Sequence, residues 1–145
     1  MATVSQVQKK VQSILSTELG SVKVDADGDI RIDYESTSVR ISVEKYGDNE
    51  EETVVEVTGV LSFETPATPK LYKWINDKNG LIKFGTIYHL DGAKGGTLVL
   101  LQYSILGDFL DPEELLNAVR VVVLIANKLD DEVIEEFGGK RVIDL

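Results

Sequence analysis

From Ile30 to Phe63 the apolar side chains fall on alternate positions in three successive runs: Ile30, Ile32 and Tyr34; Val39, Ile41 and Val43; Val55, Val57, Leu61 and Phe63. A period of two puts one side of a strand into a core and the other outside it, so this stretch reads as three half-buried antiparallel strands. On its N-terminal side the period changes. Val4, Val7, Val11, Ile14, Leu15 and Leu19 recur at helical spacing, with Thr3 and Gln6 placed as a capping box and Gly20 as a stop. Strands grouped in blocks between helices, rather than alternating with them one by one, point to an α+β fold.

The turns refine this outline. A two-residue turn at Ser36 and Thr37 would pair Tyr34 with Val39, Ile32 with Ile41 and Ile30 with Val43, placing all six on one face. Before it, a two-residue turn at Asp27 and Gly28 would set Val24 against Arg31 and scatter the apolar residues. A three-residue loop from Asp27 to Asp29 pairs Val24 with Ile32 instead; the alternative is an extended lead-in with no strand before residue 28.

In the second half, Asp48 to Glu52 is a charged loop, and Pro66 to Pro69 ends the third strand. Thr68 caps a second helix with Pro69 at its first position; this helix carries Leu71, Trp74 and Ile75 and stops at Asn79 and Gly80. Ile82, Phe84, Tyr88 and Leu90 alternate, a Gly-rich loop from Asp91 to Gly96 turns the chain, and Leu98 to Leu106 returns as the partner strand. Asp111, Pro112 and Glu114 then form a helix start, with the glutamate reaching back to the cap. Val119 to Ile125 is β-branched enough to suggest a strand. No turn separates it from that start, however, and Leu115, Val119, Val122, Ala126, Leu129, Val133 and Phe137 keep a helical period to Gly138 and Gly139. The expected order is helix, three antiparallel strands, helix, two-strand hairpin, long helix, in one domain spanning residues 1–145.

Charge and composition exclude several functions. The 25 acids against 15 bases give a net charge of −10, and no basic cluster exists, so the phosphate-neutralising footprint of nucleic-acid binding is missing. The longest apolar run, Val121 to Ala126, is far short of the roughly 18 residues a membrane helix needs. The start of the sequence shows no apolar signal stretch, and no cysteine occurs, which suits a reducing, cytoplasmic setting.

Candidate chemistry is sparse. Asp25, Asp27 and Asp29 resemble a calcium loop, but the glycine falls at the fourth position and Ser36 stands where the bidentate glutamate belongs. His89 is the sole histidine and is expected on the wetter side of its strand. Gly92, Gly95 and Gly96 with Lys94 join two strands and lack the GK[ST] and helix of a phosphate loop. Neighbouring carboxylates such as Glu113 and Glu114 or Asp130 and Asp131 diverge on a helix and read as capping or solvation. No catalytic residue, cofactor site or metal site is expected, and no micromolar calcium or zinc binding.

What stands out is an apolar surplus. Leu98, Leu100 and Leu106 lie on one face of the last strand, with Val99, Leu101, Tyr103 and Ile105 on the other. Either helices cover both faces, or one face is an interface. The second alternative predicts a homodimer through the second helix, with Trp74, or through the strand, with Leu98 and Leu100. Val54 and Val60 point away from the face of Val55, Val57 and Leu61 and are the candidate protein-binding residues.

Several strings carry a family resemblance: Leu71 to Asn76 (LYKWIN), Phe84 with Gly85, Gly107 to Leu115 (GDFLDPEEL), and Phe137 with Gly138 and Gly139. With the order of elements, they resemble the type III secretion chaperone-like superfamily, in particular its YbjN-like branch. Residues 1 to 63 match only in pattern. The resemblance implies a small, acidic, usually dimeric cytoplasmic protein of bacterial origin that binds extended segments of client proteins and has no enzymatic activity. In the secretion chaperones the client surface lies on the first helix and the first three strands. The YbjN-like label also implies an alternative, a regulatory or structural subunit in signalling or stress that escorts no client.

Overall fold

The computed structural model describes residues 2–20, 22–92 and 95–144. Helix α1 (Val4–Leu19) is followed by strands β1 (Lys23–Val24), β2 (Ile30–Tyr34), β3 (Thr37–Tyr46) and β4 (Glu52–Thr65). Helix α2 (Pro69–Asn79), strands β5 (Thr86–Asp91) and β6 (Thr97–Leu106) and helix α3 (Pro112–Phe137) come next, then a 3-10 turn at Val142–Asp144. The strands form one antiparallel sheet in the order β1-β2-β3-β4-β6-β5. The α+β class and the order of the main elements are those read from the sequence, with one short strand added at the edge.

The caps explain the helix boundaries. Thr3 and Gln6 exchange side-chain and backbone bonds at 3.1 and 2.9 Å, and Gly20 closes α1 at φ +80°. Thr68 accepts the Leu71 amide at 3.2 Å, with Pro69 following. The Asp111 carboxylate accepts the Glu113 amide at 2.7 Å, and the expected return bond from Glu114 does not form. The β-branched run in α3 is helical, because Val119, Val122 and Ala126 all reach the core.

All three helices lie on one side of the sheet. Val7, Val11 and Leu15 of α1 and Leu115 to Val133 of α3 meet Val39, Ile41, Val55, Val57, Leu101 and Ile105 in a single core. Gly59 lets α3 close in: a Cβ there would stand 2.9 Å from the Ala126 Cβ.

Three registers differ from expectation. The β2–β3 turn is Glu35–Ser36, so Tyr34 pairs with Thr37, Ile32 with Val39 and Ile30 with Ile41. This two-residue slip keeps the same face inward, and α3 fixes it: Asn127 Oδ1 accepts from the Ser36 amide at 3.2 Å, and the single Ser36 hydroxyl proton is shared between Asn127 Oδ1 at 2.9 Å and Asp130 Oδ2 at 2.8 Å. Asp130 is therefore a buried residue, not a solvating one, and burial pushes its carboxyl up. Before β2, Val24 pairs with Ile30 across a loop spanning residues 25–29, longer than the three-residue loop, and a real strand precedes residue 28. Asp25 Oδ1 organises that loop by accepting the amides of Asp27 and Asp29 at 2.9 and 3.0 Å.

The third difference is the phase of β5. Ile82 and Phe84 precede the strand, and Gly85 at φ +85° turns the chain into it. Ile87 is the core residue, 1% exposed, and both its backbone groups bond Asn79 of α2 at 2.8 and 2.9 Å. His89 thus sits on the helix side, stacked on Tyr72 with ring centroids 4.6 Å apart, rather than on the wetter face. Of the Gly-rich loop that follows, Ala93 and Lys94 lie outside the described residues.

Candidate protein-binding face

The face of the sheet opposite the helices is built from the alternate positions of its strands. Here β3 presents Ser38, Arg40, Ser42 and Glu44, and β4 presents Val54, Glu56, Thr58 and Val60. Val54 pairs with Leu106 and Val60 with Leu100; Tyr88 and Leu90 of β5 oppose Leu100 and Leu98. Both valines are half-buried, and six residues of strand separate them by about 20 Å.

A polar belt lies between them. Gln102 Nε2 donates to Glu56 Oε2 at 2.7 Å and to Thr58 Oγ1 at 3.3 Å, and the Tyr88 hydroxyl meets Gln102 Oε1 at 3.5 Å. Burial pushes the Glu56 carboxyl up and Glu44 adds to it, against the Gln102 hydrogen bond. The Tyr88 hydroxyl is likewise raised, by burial first and then by the charge of Glu56. The face therefore has two apolar ends rather than one apolar groove.

The Val60 end is concave. A groove of about 650 Å³ is lined by Val60 and Leu100 on one side and by Arg31, Arg40, Asp25 and Asp29 on the other. Arg40 Nε donates to Asp29 Oδ2 at 2.9 Å, its second nitrogen also binds Asp29, and Asp25 stands 3.6 Å away. The Asp29 hydrogen bond above all holds the Arg40 guanidinium above its ordinary value. On the same strand as Arg31, Asp33 is lowered to about 2, chiefly by the hydrogen bond from Lys23, with Arg31 assisting and burial opposing. The groove thus offers an aliphatic floor beside the Arg40–Asp29 ion pair. Among the described residues no three metal-ligating side chains converge.

The structure separates the residues singled out from the sequence. Val60 lines the groove; Val54 does not, lying beside Leu106 at the far end. Leu98 and Leu100 share the uncovered face with Val60, but Leu100 is only 5% exposed, so Leu90 and Leu106, at 49% and 51%, carry more of the accessible apolar surface. Trp74 is on the helix side, edge-on to Phe137 at 6.1 Å with Lys78 Nζ 5.8 Å above its ring. The strand alternation that put Val39 inward already implied that Arg40 points outward. Nothing local marked Val142, which reaches the same groove from beyond α3.

The chain thus sets one six-stranded antiparallel sheet between three helices on one side and an uncovered, grooved face on the other. A chain in the crystal structure of the ExsC-ExsE complex matches with a TM-score of 0.61 at 15% identity, over 92% of this chain and 97% of that one. The Yersinia pestis type III secretion chaperone SycH, in complex with a stable fragment of YscM2, aligns at 19% identity over 88% of this chain and 99% of that one, with a TM-score of 0.48. No curated protein matches. The family model described as TY-Chap1, T3SS (YopN, CesT) and YbjN peptide-binding chaperone 1, matches residues 4–145, and the chain belongs to that family.

Proposed function

We propose that this protein is a non-enzymatic, cytoplasmic chaperone or adaptor, homodimeric, that binds an extended segment of a client protein on the uncovered sheet face around Val60. The observation that carries the reading is the groove itself. It sits on a sheet face that no helix covers and combines an aliphatic floor with fixed charges, in a chain of a peptide-binding chaperone family. An extended segment laid there gains from side-chain pockets and from main-chain pairing at the end of a strand. The ExsC-ExsE complex, on the same fold, is consistent with a protein partner.

For the dimer we propose the β5–β6 side, where Leu90, Leu98 and Leu106 offer aliphatic surface, since Trp74 is already engaged by Phe137 and Lys78. Light scattering at micromolar concentration checks this: a strict 16 kDa monomer removes the interface.

The test of the client surface is co-purification from native cells with the unsubstituted chain and the Val60→Asp variant. Val60 is half-buried, so the substitution costs about 1 kcal/mol of stability, within what a domain tolerates. The client should be lost from the variant while its melting transition stays cooperative. A folded variant that retains its client normally places the client elsewhere.

A further inference from the structure

The segment after α3 already does to the sheet what a client is proposed to do. Gly138 ends the helix, and its carbonyl accepts from Thr65 Oγ1 at 3.1 Å. Lys140 then pairs with Phe63 at the end of β4 as an antiparallel bridge: the Lys140 amide donates to the Phe63 carbonyl at 2.9 Å, and the Phe63 amide donates back at 3.0 Å. The Lys140 ammonium meets Glu64 at 2.8 Å, and Arg141 meets Asp131 of α3 at 2.6 Å. Two residues past the bridge, Val142 lines the groove with Val60 and Leu100.

The attachment is shallow compared with the core. Among the described residues it includes one backbone bridge, the Thr65 bond to the Gly138 carbonyl, two ion pairs of solvent-accessible side chains and the half-buried Val142 and Ile143, and the Arg141 Nε is buried without an acceptor. Segments held in this way open well below the global unfolding free energy. Their charge fits the molecule as well, since a basic pair is received by Glu64 and Asp131 on a chain of net charge −10.

We propose that Lys140, Arg141 and Val142 occupy the client site in cis, as a displaceable strap. The client segment they stand in for is an extended peptide with basic residues followed directly by a branched aliphatic one. Its main chain pairs with Phe63, its cations face Glu64 and Asp131, and its aliphatic side chain takes the place of Val142 beside Val60. This rests on the client-binding reading above and gives it a sequence preference and an inhibitory contact.

Gly139 allows the strap to be expelled without touching the groove. Its φ is +106°, and an added Cβ would collide with Thr65 Oγ1 and lie 2.9 Å from the Phe63 carbonyl oxygen. The experiment titrates a synthetic peptide, GKRVID, into the full-length isotope-labelled chain and follows backbone amide shifts of Val60, Phe63 and Leu100. In the Gly139→Ala variant the peptide should saturate these shifts at a concentration at least tenfold lower than in the unsubstituted chain. The peptides GEEVID and GKRDID should each bind the variant at least tenfold more weakly than GKRVID. Should Gly139→Ala fail to fold, Val142→Asp replaces it in the same titration. Equal binding to both chains, no binding to a folded variant, or indifference to either peptide change overturns the strap. Loss of the co-purified client from Val60→Asp alongside a failed titration would remove the strap and leave the client reading standing. A successful titration with client capture unchanged in Val60→Asp would remove the client reading.

Discussion

Replacing Gly59 by Ala tests how closely α3 sits on the sheet. Gly59 lies in mid-strand, paired with Val39 on one side and Leu101 on the other, in ordinary extended backbone. A methyl added there would stand 2.9 Å from the Ala126 Cβ and 3.5 Å from Val122 Cγ1. Removing a glycine from a strand stabilises by about 0.5–1 kcal/mol through the unfolded chain. Forcing a methyl into a packed interface costs about 1–3 kcal/mol, and an approach this close to another Cβ takes the upper part of that range, about 2–3, so the net expectation is a loss of about 1–2 kcal/mol. For a chain of this length that lowers the melting temperature by roughly 3–6 °C. Ala126→Gly alone costs about 1 kcal/mol of helix propensity, but it removes the atom that the new methyl strikes. The double variant should therefore be more stable than the sum of the singles, by about 1–2 kcal/mol. Urea unfolding followed by circular dichroism measures all four corners of the cycle. A neutral or stabilising Gly59→Ala, or strict additivity, would refute close packing of α3 on β4.

Asn79→Ala removes both bonds that tie the edge strand β5 to α2, at Ile87 N and O, and should cost about 1–3 kcal/mol, with faster hydrogen exchange of the Ile87 amide. Asp33, held at about 2 against an ordinary 3.8, contributes stability that is present above about pH 4 and lost as pH falls toward 2. Denaturation midpoints of Asp33→Asn should accordingly be flatter across that window than those of the unsubstituted chain. Asp130 behaves oppositely. Burial raises its folded-state value, so the folded chain takes up the proton more readily, and this residue's cost at neutral pH is relieved as pH falls through that raised value. Asp130→Asn removes that pH-dependent component, and a pH series of urea midpoints that keeps it would count against a buried, ionised carboxylate.

What the sequence determined by itself is local: where each element starts and stops, and which side of most strands faces inward. Thr3 with Gln6, Thr68 with Pro69 and Asp111 with Pro112 bond only to their own neighbours, so their spacing alone defines the helix ends. The alternation around Val39 and Val57 likewise fixed that Arg40 and Val60 point to the other face, because the period of two leaves no choice. Tertiary structure decided the rest. The Glu35–Ser36 turn lies one residue before the expected one and shifts every pairing by two with the same face inward, a choice alternation cannot make; Asn127 and Asp130, more than ninety residues away, make it. Alternation alone predicts the wrong phase for β5 because Ile82 and Phe84 belong to the approach, and the bonds from Asn79 to the Ile87 backbone set the strand so that Ile87 enters the core. The meeting of Val60 and Val142 in one groove carried no sequence signal at all, since it depends on a pairing of Phe63 with Lys140, residues far apart in the chain that the course of α3 along the sheet brings together at the end of β4.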